Sequence, residues 1–327
     1  MALPPGRWRM GHSVASPAER AALKGEGKGP QVLQVELQAL NLEPEQRITY
    51  GGEIGSGISA TVFEGTLERD GVLLPVAIKR FRQEVKLTLP KSVVDLGREL
   101  RILAKISHPN LLHLYGVVPN DPPEFVTELC RGGNAFNLLH VQQDLEISWR
   151  QKLKICSDTA AGIGYLHGLS PAILHRDLKS LNLLLVDEFT GEEDGEITIK
   201  VCDFGLSRLK EGEEERSLMT KNVGTTNWLA PEVVGVGAVS YNEKVDVYSF
   251  SMTMFEVICR EVPFEDDDPT GVIRRVKRGE RPDLEAVPPD CPEPLQRLME
   301  DCWHAEPSRR PCFDRISRRL EDIQQEL

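Results

Sequence analysis

Residues 174–182 read Leu174-His175-Arg176-Asp177-Leu178-Lys179-Ser180-Leu181-Asn182, and residues 201–205 read Val201-Cys202-Asp203-Phe204-Gly205. The first block sets a carboxylate, an ammonium two residues on and an amide five residues on within one short stretch. The second places another carboxylate at the end of a short apolar run, where a strand would stop. Either tripeptide alone, HRD or DFG, means little. Both occur here in order, after Val76-Ala77-Ile78-Lys79 and before Ala230-Pro231-Glu232, and that succession is very hard to obtain by chance.

These residue types suit phosphoryl transfer. A nucleoside triphosphate is strongly anionic, so its chemistry needs a backbone cover, a positive side chain, metal ions held by hard ligands, and an oriented nucleophile. Asp177 is placed to orient an attacking hydroxyl and take its proton, and Lys179 to neutralise the transferring group. Asn182, through its amide oxygen, and Asp203, through its carboxylate, are the hard ligands expected for Mg²⁺. His175 is assigned to packing and loop shape. The cover is Ile54-Gly55-Ser56-Gly57-Ile58-Ser59-Ala60-Thr61-Val62, in which Gly55 and Gly57 let backbone approach phosphate closely. Alone, this GxG reads as an ordinary hairpin turn. Ala60 stands where a third glycine is usual and fits there only with a negative φ. A strand pattern at 61–67 follows rather than a helix, which argues against a dinucleotide-binding fingerprint. Lys79 is the positive side chain, on the face shared with Ala77. Glu99, on a helical stretch at 92–106, is its expected ion-pair partner.

Working outward, 48–118 has the texture of short alternating strands, with the helical stretch marked by Val93, Leu96, Leu100 and Leu103. After the joint at Gly132-Gly133 the patterns become long and helical. Residues 148–168 open on a Ser148 cap and close at Gly168. Residues 245–259 are apolar nearly all round, as in a buried helix, and Phe313, Ile316, Leu320 and Ile323 share one face. Residues 1–30 are rich in Pro, Gly, Ser and basic residues and read as a mobile tail. Residues 31–42 fit a helix through Leu33, Leu37 and Leu40, and a strand through Leu33, Val35 and Leu37; both readings stay open. The acidic insertion at 187–196 reads as a solvated charge run, its spacing unlike an EF-hand.

The bulk composition narrows the function classes. Of 327 residues, 39 are Lys or Arg and 51 are Asp or Glu, giving a net charge of −12, which argues against a nucleic-acid partner. The seven cysteines are odd in number, scattered and without a CxxC pair, so they suggest neither a disulfide framework nor a thiolate zinc site. Reduced thiols fit the cytoplasm, with the nucleus also compatible. The sequence has no uninterrupted apolar run long enough to span a membrane. Its start, MALPPGRWRMGHS, lacks the apolar core of a secretory signal.

Over about 276 residues, 48–323, the chain resembles a eukaryotic protein kinase. HRDLKSLN (175–182), KVCDFGLSRLK (200–210) and VGTTNWLAPE (223–232) are most similar to the tyrosine-kinase-like group, near the mixed-lineage and Raf-like serine/threonine kinases. The resemblance implies an α+β bilobal fold at 48–325 after an extension at 31–47. It would have a small β-rich N-lobe at about 48–130 and a larger helical C-lobe at about 131–325. ATP would lie between the lobes with Mg²⁺. On the nucleotide side the resemblance adds Val62 and Ala77, with Ile54, Gly55, Ser56, Gly57 and Lys79 in the cover and below it. It makes Thr127 the gatekeeper, with the Glu128 carbonyl and the Cys130 N–H facing the adenine edge. Glu232 and Arg310 would form a buried ion pair, Asp246 would brace the catalytic loop, and Tyr248 stands where the family often has Trp. Lys179 and Thr225 are serine/threonine features, and Ser217 or Thr220 is the expected phosphorylated switch, pairing with Arg176. The implied function is an ATP-dependent protein serine/threonine kinase acting on protein substrates, without nucleic acid or membrane partners. The alternative, a nucleotide-binding pseudokinase scaffold, predicts loss of at least one of Lys79, Glu99, Asp177, Lys179, Asn182 and Asp203, yet all six are present. Ala230-Pro231-Glu232 and the Trp303…Arg310-Pro311 stretch argue against a small-molecule kinase.

Overall fold

The computed structural model describes residues 42, 47–57, 60–82, 100, 102–120, 123–192, 195–204, 208–209, 226–234 and 242–327. The expected tail, residues 31–41 of the open segment, and residues 92–99 and 101 of the helical stretch lie outside them; residues 100, 102 and 103 are helical.

The first part is an antiparallel sheet of β1 (Arg47–Ser56), β2 (Ala60–Arg69), β3 (Val72–Phe81), β4 (Leu114–Val118) and β5 (Glu124–Glu128), in the order β1-β2-β3-β5-β4. Asp70 and Gly71 both have positive φ (52° and 74°), the geometry a two-residue hairpin needs to join twisted strands. Alternation along β3 separates its faces. Val76 and Ile78 are fully buried with Leu67 and Val126 in a small core, whereas Ala77 and Lys79 are half-buried on the other face. Leu42 reaches this lobe from outside: its N–H donates to the Val117 carbonyl (3.1 Å) on the free edge of β4, and its side chain packs on the small core.

The second part is helical: α1 (Trp149–His167), α2 (Lys244–Cys259), α3 (Pro269–Lys277), α4 (Glu293–Cys302) and α5 (Phe313–Glu326). Ser148 caps α1 as expected, in a reciprocal box with Gln151 that satisfies two otherwise orphaned backbone donors. Every residue of α2 from Val245 to Ile258 is buried, so α2 is the axis around which the larger lobe packs. Gly162 lets α1 approach the strand-bound loop before β4. A Cβ there would lie 2.9 Å from the Asn110 carbonyl oxygen, which accepts from Val201 N–H (2.9 Å). No helix among the described residues is long and apolar enough to cross a membrane.

Between β7 (Leu183–Leu185) and β8 (Ile199–Val201) runs the acidic insertion, solvated along its charges and anchored beside them. Asp187, Glu188, Glu192 and Glu196 are exposed, but Phe189 packs on the main core and Ile197 is buried. The Gln151 side-chain amide donates to the Glu192 (2.9 Å) and Gly195 (3.0 Å) carbonyls, so the α1 cap also pins the insertion. The reason is local composition: Phe189, and Ile197 just after the run, fold back while the carboxylates stay hydrated.

Tyr248, at the aromatic swap in α2, is fully buried between the Arg281 and Arg310 guanidinium groups (5.2 and 5.1 Å from its ring). Among the described residues its hydroxyl has no hydrogen-bond partner. Burial, only partly opposed by the two guanidiniums, pushes the phenol up to about 12. A buried donor without a partner carries its full desolvation cost, so Tyr248→Phe is expected to leave stability unchanged or raise it by about 1 kcal/mol. Urea denaturation measures this, and a loss larger than about 1 kcal/mol would contradict the orphaned hydroxyl.

Candidate active site

Strand pairing builds the site. β6 (Ile173–Leu174) leads into His175-Arg176-Asp177, and a 3₁₀ turn at Ser180–Asn182 leads into β7. β7 pairs antiparallel with β8, Leu183 opposite Val201, so the residues flanking that pair, Asn182 and Cys202-Asp203, emerge at one end of the hairpin. The Cys202 N–H to the Asn182 carbonyl (2.9 Å) closes that end.

Asp177 is the focus of this end and is buried. Lys179 Nζ donates to both of its carboxylate oxygens (3.0 and 2.9 Å). The Asn182 side-chain NH₂ donates to the Asp177 carbonyl (2.7 Å) and to Oδ2 (3.0 Å). Its nitrogen is thereby spent on Asp177, which leaves the amide oxygen as the acceptor this side chain has to offer. Arg176 and Asp203 both have positive φ (70° and 64°), a sparsely populated conformation that costs of order 1–3 kcal/mol each for a non-glycine residue.

Asp246, fully buried on α2, holds the Arg176 turn. Its Oδ2 accepts from the His175 N–H (2.8 Å) and lies 2.8 Å from His167 Nε2, while Oδ1 accepts from the Arg176 N–H (2.8 Å). Burial alone would raise this carboxyl, but the His167 hydrogen bond and charge, helped by His175 and Arg176, more than offset it and hold the group below the ordinary carboxylate range. His175 has its Nε2 3.0 Å from the Cys202 carbonyl oxygen and its ring edge-on to Phe204, a shape-giving role rather than a proton-transfer one. His167, at the last turn of α1, was not legible as a site residue; its partner is 79 positions away. Behind these, Arg310 makes two bonds to Glu232 (2.6 and 2.9 Å) with a fully buried guanidinium.

On the sheet side, register lines up the expected nucleotide residues. Gly55 pairs with Val62, Val62 with Lys79 and Lys79 with Phe125, one cross-strand row over four strands. Side chains in such a row share a face. Lys79 Nζ lies 5.3 Å from the Phe81 ring. One position along, Ala77 pairs with Thr127, whose hydroxyl is 3.5 Å from the Ala77 carbonyl oxygen and 3.3 Å from that of Glu128. The Glu128 carboxylate is occupied by the His113 N–H (2.7 Å) and Lys200 (2.9 Å). Burial, reinforced by nearby Glu128, pushes the Cys130 thiol up to about 12, so it is a neutral thiol. At the joint, Gly132 donates to the Leu185 carbonyl (3.1 Å), and a Cβ there would lie 2.1 Å from the Asp187 carbonyl oxygen, a space only glycine fits.

In the cover, Ile54 is exposed, Ser56 accepts from Arg82 (2.6 Å), and Gly57 N–H donates to the Ala60 carbonyl (2.8 Å). Ala60 is a buried β2 residue opposite Phe81 without positive φ, so the missing glycine introduces no strain there. Ile58, Ser59, Glu99, Gly205, Ser217, Thr220 and Thr225 lie outside the described residues. The residues present fit a metal-bound nucleotide on two counts. A Cβ on Gly55 would meet no atom of the described residues within 4 Å, so among them the cover has open space beside its backbone. The donor set offered at the hairpin end, an amide oxygen and an exposed carboxylate, is all hard oxygen.

The protein tyrosine and serine/threonine kinase family matches residues 48–320, and the chain belongs to that family. It is 34% identical over 284 residues to the dual specificity protein kinase shkA of Dictyostelium discoideum, covering 85% of this chain and 50% of that protein. It is 34% identical over 274 residues to drkD of the same organism, named a probable serine/threonine-protein kinase, covering 84% and 19%. A light-sensor protein kinase of Ceratodon purpureus is 35% identical over 298 residues, covering 84% and 22%. The chain thus spans half or less of the length of these curated relatives.

Proposed function

We propose that the chain transfers the γ-phosphoryl group of Mg²⁺-ATP to serine or threonine hydroxyls of a protein, as a member of the tyrosine-kinase-like group. The observation that carries this reading is the buried Asp177 carboxylate, bonded on both oxygens by Lys179 and steadied by Asn182, at the end of the hairpin that also bears Asp203. Asp177 accepts the hydroxyl proton, and Lys179 stands beside it as the charge that meets the transferring group. Asn182 and Asp203 would hold the metal, which when bound neutralises phosphate charge. Gly55, Ser56 and Gly57 cover the phosphates, with Ile54, Val62 and Ala77 against the base. Lys79, paired with Glu99, binds phosphate oxygens. Thr127 limits the depth of the base pocket, and the Glu128 carbonyl and Cys130 N–H read the adenine edge.

The motif similarity in HRDLKSLN, KVCDFGLSRLK and VGTTNWLAPE supports the group assignment. The catalytic unit is proposed as 48–325, with the lobes meeting near 130, in the cytoplasm, and Ser217 or Thr220 as its switch. The purified chain is incubated with labelled ATP, Mg²⁺ and a generic protein substrate, followed by phosphoamino-acid analysis. Label on serine or threonine supports the reading. Label on tyrosine as well would move the chain to dual specificity, the description carried by shkA, and no label beyond that of Asp177→Ala would favour a pseudokinase.

A further inference from the structure

α2 carries a second carboxylate that no spacing argument singles out. Glu256, in its last turn, is fully buried, and four groups surround its two oxygens. Oε1 accepts from the Ser180 hydroxyl and lies 3.2 Å from His140 Nε2. Oε2 accepts from the Trp228 indole N–H (2.7 Å) and the Ser180 backbone N–H (3.3 Å). A buried carboxylate is tolerable only when its lone pairs are filled, and here three elements besides α2 supply the partners. They are the 3₁₀ turn that holds Asn182, the Thr226–Trp228 turn before Ala230-Pro231-Glu232, and the π-helical turn Asn137–Val141. Ser249, one helical stretch earlier, ties the Trp228 carbonyl to α2 as well (2.8 Å).

Ser180 stands between Lys179 and Asn182, and both its hydroxyl and its N–H end on Glu256. We propose that Glu256 is a positioning residue: through Ser180 it fixes where Lys179 and Asn182 stand against Asp177, and through Trp228 it fixes the segment before Glu232 against the same turn. The proposal rests on the phosphoryl-transfer reading above. Asp246 steadies the beginning of the Asp177 loop and Glu256 its end, about 15 Å apart along one rigid helix. The residues expected to contact the base and the phosphates directly lie on β1–β3 and at 127–130, away from these contacts, so binding of metal-free ATP is separable from this support.

The test compares full-chain wild type, Ser180→Ala, Ser180→Thr, Trp228→Phe and the Ser180→Ala/Trp228→Phe pair, measuring kcat, the Kd for metal-free ATP, KM for a protein substrate, and the folded fraction by thermal melting. Ser180→Ala is expected to lower kcat about 10- to 100-fold, the scale of a misplacement of roughly 1 Å, with the Kd for metal-free ATP, read by fluorescence titration, unchanged. Ser180→Thr restores kcat because it keeps the hydroxyl. Trp228→Phe raises KM for the protein substrate, and the pair loses less than the product of the two single losses because both bonds end on one carboxylate. Wild-type kcat in a folded Ser180→Ala, or a loss matching its unfolded fraction, overturns the proposal, as does failure of Ser180→Thr to restore kcat. A wild type that transfers no phosphate overturns the phosphoryl-transfer reading and this proposal with it.

Discussion

Asp177→Asn is expected to lower phosphoryl transfer by roughly 10²–10⁴-fold while ATP binding stays intact. The substitution removes the carboxylate that Lys179 contacts through both oxygens and sets an amide NH₂ against the donors Lys179 and Asn182. It leaves the Gly55–Val62–Lys79 row and the strand segment at Thr127 untouched, because those lie on the sheet. A nucleotide titration followed by fluorescence, run beside single-turnover transfer, separates the two effects. Equal losses of binding and transfer would mean that Asp177 acts through the fold, and undiminished transfer would remove it from the chemistry altogether.

The second large effect is on stability. Asp246→Asn leaves one oxygen to serve the His175 N–H, the Arg176 N–H and His167, so at least one buried donor goes unmet, at about 1–3 kcal/mol for each. It also releases Arg176 from its left-handed conformation, so transfer should fall with stability. The pH dependence follows from the lowered Asp246 carboxyl. A group that titrates lower in the folded chain than in the unfolded one stabilises fully above the unfolded value, about pH 4, and that stabilisation is lost as pH falls through the folded value. Wild type should therefore lose stability on acidification more steeply than Asp246→Asn in urea melts between about pH 5 and pH 3. Parallel curves would show that Asp246 contributes no such linkage.

Much of this was legible in the sequence because the deciding features are local. Asp177, Lys179 and Asn182 sit within six residues, and one hairpin brings Asp203 to them, so motif spacing carried the geometry. Ser148 announced the start of α1 by the same locality, and Gln151 completes its cap. The features that escaped are long-range. His167 meets Asp246 across 79 positions and Ser180 meets Glu256 across 76, and no spacing encodes either. One signal was available: an acid inside a buried helix must find donors, and Glu256, like Asp246 on the same helix, is such an acid. The run at 187–196 is solvated as its charge predicts, its described carboxylates being exposed, while Phe189 within it and Ile197 just after it fold inward, which a charge count does not show.

The close approach of α1 at Gly162 to the Asn110 backbone reaches beyond packing. The chain crosses between the sheet and the helices at the glycine pair 132–133, and the loop at Asn110 is fastened to α1 and β8 as well. The Lys200 ammonium of β8 meets the Glu128 carboxylate at the end of β5 (2.9 Å), and Leu112 N–H donates to the Val201 carbonyl (3.0 Å), so the start of β4 and the end of β5 are tied to the helical part as well. A displacement of the sheet against the helices would therefore strain one of these ties before it strained the rest of the sheet.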